Sequence, residues 1–163
     1  MTTPSWDETA MGVLKVYERR SHCIWLKVAA VFYNKENRLL SVGYNGPPKG
    51  EPHCDEVGCA KMKNGKKLLG GSGLCRGAHA EVNAVANAAS EGVCLKGTRV
   101  YCSYTPCYDC AKMLVNLGIK EIIYAKIYDD EGKGNPKVFE LFKRRGIVIR
   151  QFKEKGGEKN DCR

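Results

Sequence analysis

Three side chains with the chemistry of zinc ligands occur at predicted helix starts in the second half of the chain. His79 lies at the start of a helix predicted over 78–90. Cys107 and Cys110 are three positions apart at the start of a second predicted helix. Two thiols at this spacing can bind one ion at a helix N-terminus, where the helix dipole also favours the thiolate form. Three protein ligands leave the fourth tetrahedral position to water, which is typical of a catalytic zinc.

Glu81 follows His79 by two positions and is predicted to move protons. At this spacing its carboxylate fits poorly as a fourth ligand, but it can lie beside the water. Zinc lowers the pKa of water to about 7, and a neighbouring carboxylate can pass the released proton to a ring nitrogen and a leaving amine. A His-x-Glu element followed by Pro-Cys-x-x-Cys is typical of zinc deaminases of nucleobases. The alternative, a structural Cys3His zinc that includes Cys102, leaves Glu81 and Pro106 without a role.

The elements that must position these residues alternate between helices and strands. Hydrophobic periodicity predicts helices over 6–20, 78–90, 108–117 and 136–145, and strands over 24–33, 38–43, 99–103, 121–125 and 147–152. The first two strands predict a hairpin, and the later alternation predicts a largely parallel sheet covered by helices on both faces. We therefore expect a single α/β domain over 1–152, followed by a charged tail over 153–163 that is disordered.

Residues 45–78 interrupt this pattern with a glycine-rich loop insertion. A loop of this length in a compact domain needs a reason. It contains four candidate zinc ligands, His53, Cys54, Cys59 and Cys75, and Cys23 earlier in the chain is a fifth. A second, structural zinc on the four cysteines, with His53 as a substitute, would order the loop, because bonds to zinc supply folding free energy that sparse apolar residues cannot. The alternative is a set of isolated thiols.

The composition favours a protein of the cytoplasm. The 163 residues, of which 43% are hydrophobic, are enough to bury a core. Because no apolar run of about 18 residues and no signal peptide is visible, we expect no membrane contact. Nine cysteines without an export signal favour metal ligands over disulfides. The net charge of +9 suits a phosphorylated metabolite better than nucleic acid, since no aromatic residues interleave with the basic ones.

Several segments of the chain resemble the deoxycytidylate (dCMP) deaminases of the cytidine deaminase-like superfamily. They are residues 43–50, 52–56, 79–84, 100–101, 106–112 and 118–124, within a match over about 21–152. The resemblance implies a three-layer α/β/α fold with a central mixed sheet of about five strands. It also implies hydrolytic deamination of dCMP to dUMP and ammonia by zinc-activated water at C4, with Glu81 as proton shuttle. The alternatives are dCTP, a 5-substituted dCMP, or a base in nucleic acid.

The resemblance also implies contacts with a deoxynucleotide. Asn45, in the Gly-Tyr-Asn-Gly element, should contact the deoxyribose. Lys27 and Lys49 are candidates for the phosphate, with an exposed solubilising lysine as the alternative for each. Ala80 and Thr105, beside the metal ligands, complete the predicted substrate contacts. Similar enzymes form homo-oligomers and are regulated by nucleoside triphosphates, so a homo-oligomer and a triphosphate regulator are expected partners.

Overall fold

A computed structural model of the chain describes residues 3–68, 74–128 and 135–153. The helices in these ranges are α1 Trp6–Glu18, α2 Cys54–Val57, α3 Ala80–Ser90, α4 Tyr108–Leu117 and α5 Pro136–Arg144. The strands are β1 Ala29–Tyr33, β2 Leu39–Tyr44, β3 Met62–Lys63, β4 Lys66–Lys67, β5 Arg99–Tyr104, β6 Glu121–Lys126 and β7 Val148–Gln151. The tail predicted to be disordered lies, apart from its first residue, outside the described residues. None of the helices described is long and apolar enough to cross a membrane.

Five of the strands form one mixed sheet in the order β2-β1-β5-β6-β7. Strand β1 is antiparallel to both β2 and β5, whereas β6 is parallel to both β5 and β7. The mixed five-stranded sheet implied by the resemblance is therefore confirmed. The expectation of a largely parallel sheet is wrong, because β1 makes two antiparallel pairings and the parallel pairings are also two in number.

Helices cover both faces of this sheet. On one face α1 buries Met11 and Leu14 against side chains of β1, β5 and β6. On the other face α3, α4 and α5 bury Ala84, Leu114 and Phe142 against the opposite side of the same strands. Strand β1 is buried at every position, as expected for a strand with both faces covered. The result is the three-layer α/β/α arrangement that was expected.

A network of polar side chains connects α1 to strands β5, β6 and β7. The hydroxyl of Tyr101 donates to Asp7 Oδ1 at 2.8 Å, and Nη1 of Arg150 lies 2.8 Å from Asp7 Oδ2. The same guanidinium donates through Nε to Glu121 Oε1 at 2.7 Å. At the helix start, Ser5 and Glu8 form a reciprocal capping box. The network therefore joins the first turn of α1 to β5, β6 and β7.

The strand predicted over 24–33 is shorter in the structure. Regular pairing begins at Ala29, and the backbone before it is bonded by the side chain of Asn45 in place of a neighbouring strand. Trp25, within the strand predicted over 24–33, lies in this irregular segment with 46% of its surface exposed.

The insertion over 45–78 contains more regular structure than was predicted. It holds the short helix α2 and a small hairpin formed by β3 and β4. Asn64 and Gly65, which join the two strands, have φ values of 50° and 73°. Both angles lie in the left-handed region that Asn-Gly favours in two-residue hairpin turns. Gly46 and Ala78 close the base of the insertion with an antiparallel bridge.

Candidate metal centre and active site

His79 reaches the centre from the N-terminus of α3. It is the N-cap residue, in an extended conformation, and the alanine-rich helix begins directly after it. Small side chains let α3 pack close to β2, and Gly43 makes the approach tightest. A Cβ atom at Gly43 would overlap the backbone carbonyl of Ala80 and the backbone amide of Ala84. The absence of a side chain at Gly43 therefore sets the distance between β2 and the helix that carries Glu81.

Cys107 and Cys110 reach the same point from the N-terminus of α4. Cys107 is the N-cap, and its sulfur accepts a hydrogen bond from the backbone N–H of Cys110 at 3.5 Å. The helix ends at Gly118, whose φ of 71° is the left-handed conformation typical of a glycine C-cap. Strand β5 leads directly into this helix, so the sheet fixes the position of both sulfurs.

The three predicted ligands converge with a geometry that fits zinc. Nδ1 of His79 lies 3.3 Å from Sγ of Cys107 and 3.4 Å from Sγ of Cys110. Tetrahedral zinc with bonds of about 2.3 Å to sulfur and 2.0 Å to nitrogen separates such ligands by about 3.5 Å. The nitrogen that faces both sulfurs is Nδ1, so it is the ring atom able to bind the metal.

Among the described residues, this is the group that brings three candidate ligand atoms within 4.8 Å of one another. Cys102 does not belong to it, although it is buried on β5 nearby. The alternative of a structural zinc with Cys102 as fourth ligand therefore lacks that ligand. A fourth position is left for a small molecule, as a catalytic zinc requires.

The electrostatics of the two cysteines are asymmetric. Hydrogen bonding from the Cys110 thiol and from His79 lowers the pKa of Cys107. The hydrogen bond to Cys107, together with burial, raises the pKa of Cys110. A divalent cation stabilises thiolates, so it would favour the ionised form of both.

Glu81 lies beside this group in the first turn of α3. Its side chain is buried, and Oε2 lies 3.6 Å from Sγ of Cys110. Burial is the main cause that raises the pKa of this carboxyl group. A carboxyl group with a raised pKa exchanges protons more readily near neutral pH. A buried carboxyl group in this position is able to exchange protons beside the metal ligands.

The amide group of Asn45 is largely engaged within the protein. Its Nδ2 donates to the carbonyl of Leu26 at 2.8 Å, and its Oδ1 accepts from the Val28 amide and the Ser21 hydroxyl. These bonds hold the irregular segment before β1 against the end of β2. Among the described residues, these bonds leave one N–H of the Asn45 amide for the predicted contact with deoxyribose.

The other predicted substrate contacts occupy different surroundings. Lys27 is exposed, and Lys49 is exposed on the wall of an open cavity of about 600 Å³. Ala80 is fully buried next to Glu81. Thr105 is buried and joins β5 to β6, because its N–H donates to the carbonyl of Lys126 and its Oγ1 accepts from the Tyr128 amide.

The second group of cysteines comes together in part. Burial, and then the neighbouring thiols of Cys59 and Cys23, raise the pKa of Cys54. In the described part of the chain these sulfurs do not form a group of three within 4.8 Å of one another, and Cys75 is exposed. His53 stacks on His22 with ring centroids 4.1 Å apart. Nδ1 of His53 is buried and has no hydrogen-bond partner among the described residues.

Two asparagines of α3 were missed by the sequence reasoning. Nδ2 of Asn83 donates to the carbonyl of Tyr44 at 2.8 Å, and Nδ2 of Asn87 donates to the carbonyl of Val42 at 2.9 Å. A signal for them exists in the sequence, since two asparagines four positions apart lie on the same side of an otherwise alanine-rich helix. Asparagine is a poor helix former, so its presence there suggests a bonding role.

Comparison with known proteins agrees with this site. Residues 4–126 match the family model described as the cytidine and deoxycytidylate deaminase zinc-binding region. This match includes the three converging ligands, so the cofactor of the family region is zinc. Deoxycytidylate deaminase of Mus musculus is 33% identical over 154 residues, which cover 92% of this chain and 81% of that protein. Deoxycytidylate deaminase of Mycobacterium phage D29 is 33% identical over 131 residues, covering 77% and 98%.

Other relatives are longer. The deoxycytidylate deaminases of Schizosaccharomyces pombe and Saccharomyces cerevisiae are 32% and 34% identical and align with 91% of this chain. The chain spans 44% and 45% of their respective lengths.

The fold also occurs among solved structures. The dCMP deaminase of cyanophage S-TIM5, in complex with dCMP and dUMP, superposes with a TM-score of 0.73 at 23% identity, covering 93% of this chain and all of that one. Because the identity is low, this likeness speaks for the fold alone. The ligand geometry, the buried carboxylate and the family match lead to one assignment. The chain belongs to the cytidine and deoxycytidylate deaminase family.

Proposed function

We propose that this protein is a zinc-dependent deaminase that hydrolyses dCMP to dUMP and ammonia. The observation that carries the proposal is the placement of a buried carboxylate, Glu81, beside three converging ligands, His79, Cys107 and Cys110. This arrangement suits the addition of water to an aromatic ring carbon that bears an amino group. The family membership supports the same reaction class.

In the proposed reaction, Glu81 moves the protons of the water that zinc activates. When bound by the three ligands, zinc supplies the Lewis acidity that makes water nucleophilic near neutral pH. Glu81 accepts the proton that water loses and delivers it to the ring nitrogen next to the reacting carbon. The oxygen of the water bonds to that carbon, and Glu81 then takes the proton of the new hydroxyl group and passes it to the amino group. The carbon–nitrogen bond breaks, ammonia leaves and the carbonyl group of dUMP forms. Burial of Glu81 keeps bulk water away from this proton exchange. It also raises the pKa of the Glu81 carboxyl group toward neutral pH.

The proposal that the substrate is a free deoxynucleotide has separate support. Relatives that cover most of the chain carry the name deoxycytidylate deaminase. Lys49, on the wall of the open cavity, is a candidate for the phosphate, and the remaining N–H of Asn45 is a candidate for the sugar. Lys27, Ala80 and Thr105 stay proposed contacts.

A substrate panel tests the proposal. Purified protein is incubated with dCMP, dCTP, 5-methyl-dCMP, deoxycytidine and a single-stranded oligonucleotide that contains cytosine, and ammonia release is measured. We expect the highest kcat/KM with dCMP. A higher value with dCTP, with 5-methyl-dCMP or with the oligonucleotide would replace the proposed substrate, and Glu81→Gln run in parallel excludes a contaminating deaminase.

A second, structural zinc in the insertion is part of the proposal. The approach of Cys23, Cys54 and Cys59, and the unpartnered nitrogen of His53 in the described structure, support it. We propose the four cysteines, including Cys75, as its ligands, with His53 as a substitute. Metal analysis that finds one zinc per chain in the pure protein would contradict this site.

Location, assembly and regulation extend the proposal. We propose a cytoplasmic homo-oligomer that responds to nucleoside triphosphates and does not bind nucleic acid or membranes. Light scattering of the pure protein measures its assembly. Initial rates with subsaturating dCMP, with and without added dCTP or thymidine triphosphate, measure regulation.

A further inference from the structure

We infer that the end of β2 clamps the catalytic segment 78–83 at both of its ends, and that Asn83 is a positioning residue for Glu81. The inference rests on the proposed function, because it assigns a role in that reaction. It concerns residues other than the metal ligands and Glu81, although the backbone N–H of Asn83 also donates to the carbonyl of His79 at 3.0 Å within the first turn of α3. Its basis is a set of contacts between residues 43–46 and the segment that carries His79 and Glu81.

The first end of the clamp precedes the metal ligand. The backbone N–H of Gly46 donates to the carbonyl of Ala78 at 3.2 Å, and the N–H of Ala78 donates back to the carbonyl of Gly46 at 2.8 Å. This reciprocal pair forms an isolated antiparallel bridge. Ala78 is the residue directly before His79, so the bridge fixes the chain where it enters the site.

The second end of the clamp follows the proton shuttle. Nδ2 of Asn83 donates to the carbonyl of Tyr44 at 2.8 Å, two positions after Glu81. Strand β2 is at the edge of the sheet, so its outward carbonyls have no neighbouring strand to bond. An amide from the helix therefore takes the place of a strand N–H. The chain is fixed again where it leaves the site.

Between the two ends, the helix has no room to shift toward the strand. Gly43 is in direct contact with the backbone of α3, and Ser41 Oγ donates to the carbonyl of Ala84 at 2.7 Å. Because backbone contacts prevent inward movement, the hydrogen bonds of Asn83 and Ser41, together with the bridge at Ala78, resist outward movement of the first turn. A displacement of about 1 Å at a reacting group can cost about 100-fold in rate. We therefore expect the hydrogen bond from Asn83 to Tyr44 to contribute to the precise placement of Glu81.

Asn87 supplies a matched control. It makes the same kind of bond, from Nδ2 to the carbonyl of Val42 at 2.9 Å, one helical turn farther from Glu81. Asn83→Ala and Asn87→Ala each remove one amide-to-carbonyl bond between α3 and β2. The bond of Asn83 is part-buried and that of Asn87 is exposed, so kcat is compared where both variants are folded. Because both asparagines line the cavity that carries Lys49, a lost contact with substrate should raise KM in both variants, and a difference in kcat isolates the effect of position.

The test compares the two variants with the wild type as zinc-loaded proteins. For Asn83→Ala we expect kcat for dCMP to fall about 10- to 100-fold, with KM changed less than about twofold. Asn87→Ala should keep kcat within about twofold of the wild type. Zinc content should be alike in the two variants, and urea unfolding checks that both are folded under the conditions of the assay. Equal kcat values would overturn the inference, as would a rise in KM without loss of kcat, which would make Asn83 a binding residue.

A second measurement does not depend on turnover. Crystal structures of both zinc-loaded variants should show the carboxylate of Glu81 displaced from Sγ of Cys110 in Asn83→Ala and unmoved in Asn87→Ala. An unmoved Glu81 in Asn83→Ala would overturn the inference even if kcat fell. A wild-type protein that deaminates none of the nucleotides would refute the proposed function, while the two crystal structures would still decide the positioning role.

Discussion

Oε2 of Glu81 lies 3.6 Å from Sγ of Cys110, in a place where the carboxyl group is shielded from solvent. Glu81→Gln removes the group that exchanges protons and leaves the three neighbouring metal ligands unchanged. We expect the variant to retain its zinc and to lose turnover by about 1,000-fold or more. Metal analysis and ammonia release measure the two effects. Substantial residual turnover in the zinc-loaded variant would contradict the role of proton shuttle.

Replacement of one ligand should remove both zinc and activity at the catalytic centre. In Cys107→Ser a hydroxyl replaces the thiolate that His79 and Cys110 face, so we expect loss of one zinc per chain and of turnover. Cys94→Ser changes an exposed cysteine outside the group and should keep both. If Cys107→Ser kept its full zinc content, the proposed ligand set would be wrong.

The cysteines of the insertion should affect stability more than chemistry. We expect Cys54→Ser to lower the zinc content by one and to lower the midpoint of thermal unfolding, because metal binding contributes folding free energy. Turnover per remaining catalytic zinc should change little at temperatures where the variant is folded. Cys94→Ser again serves as the control, and an unchanged zinc content in Cys54→Ser would argue against the second site.

Gly43→Ala should destabilise the protein, since the added methyl group would overlap the backbone of α3 at Ala80 and Ala84. We expect a loss of about 1–3 kcal/mol in the free energy of unfolding, as in overpacked cores. Gly46→Ala, three positions along the same element, is the control because its Cβ would meet nothing within 4 Å. Urea unfolding of both variants measures the difference, and equal stabilities would show that α3 moves away at little cost.

The ionic network of α1 should make stability depend on pH. Burial alone would raise the pKa of Asp7, but hydrogen bonds from Arg150 and Tyr101 outweigh it, so the folded-state pKa lies below the model-compound value of 3.8. The ionised carboxylate therefore stabilises the folded protein above about pH 4, and this contribution is lost as the pH falls through the lowered pKa.

Asp7→Asn measures that contribution. At pH 7 we expect it to lower the free energy of unfolding by about 1–2 kcal/mol, because it removes a charged hydrogen-bond partner of a part-exposed arginine. The difference from wild type should shrink as the pH falls from 5 to below the folded-state pKa. Glu140→Gln, which alters an exposed pair with Arg144, should have little effect. A difference that stays constant with pH would contradict the assignment to Asp7.

The convergence of the three candidate metal ligands was predictable because its signals are local. His79, Cys107 and Cys110 stand at helix N-termini, and α4 ends at a glycine, so spacing and caps determine which atoms can meet. The bounds of α4 were predicted to the residue for the same reason, since an N-cap and a C-cap both mark them.

The parts that were not predictable depend on contacts between distant segments. Residues before Ala29 have the β-branched and aromatic composition of a strand, yet the side chain of Asn45 bonds Leu26 and Val28 and prevents regular pairing. A side chain that competes for backbone groups leaves no periodic trace in the sequence it binds. The spacing of Asn83 and Asn87 marks one side of α3 for bonding, but their carbonyl partners on β2 are not visible in the sequence, because they depend on the final packing of helix against strand.

The bridge between Gly46 and Ala78 also bears on how the chain could be rebuilt. Because the two residues are hydrogen-bonded to each other, residues 47–77 leave and re-enter the fold at a single point. The free-energy cost of closing such a loop rises only slowly with its length. A short turn, a longer segment or a reporter domain could therefore replace this part of the chain while Gly46, Ala78 and α3 stay in place. Such a replacement would remove Lys49 and the proposed second zinc site, and so would separate their roles from that of the metal ligands in α3 and α4.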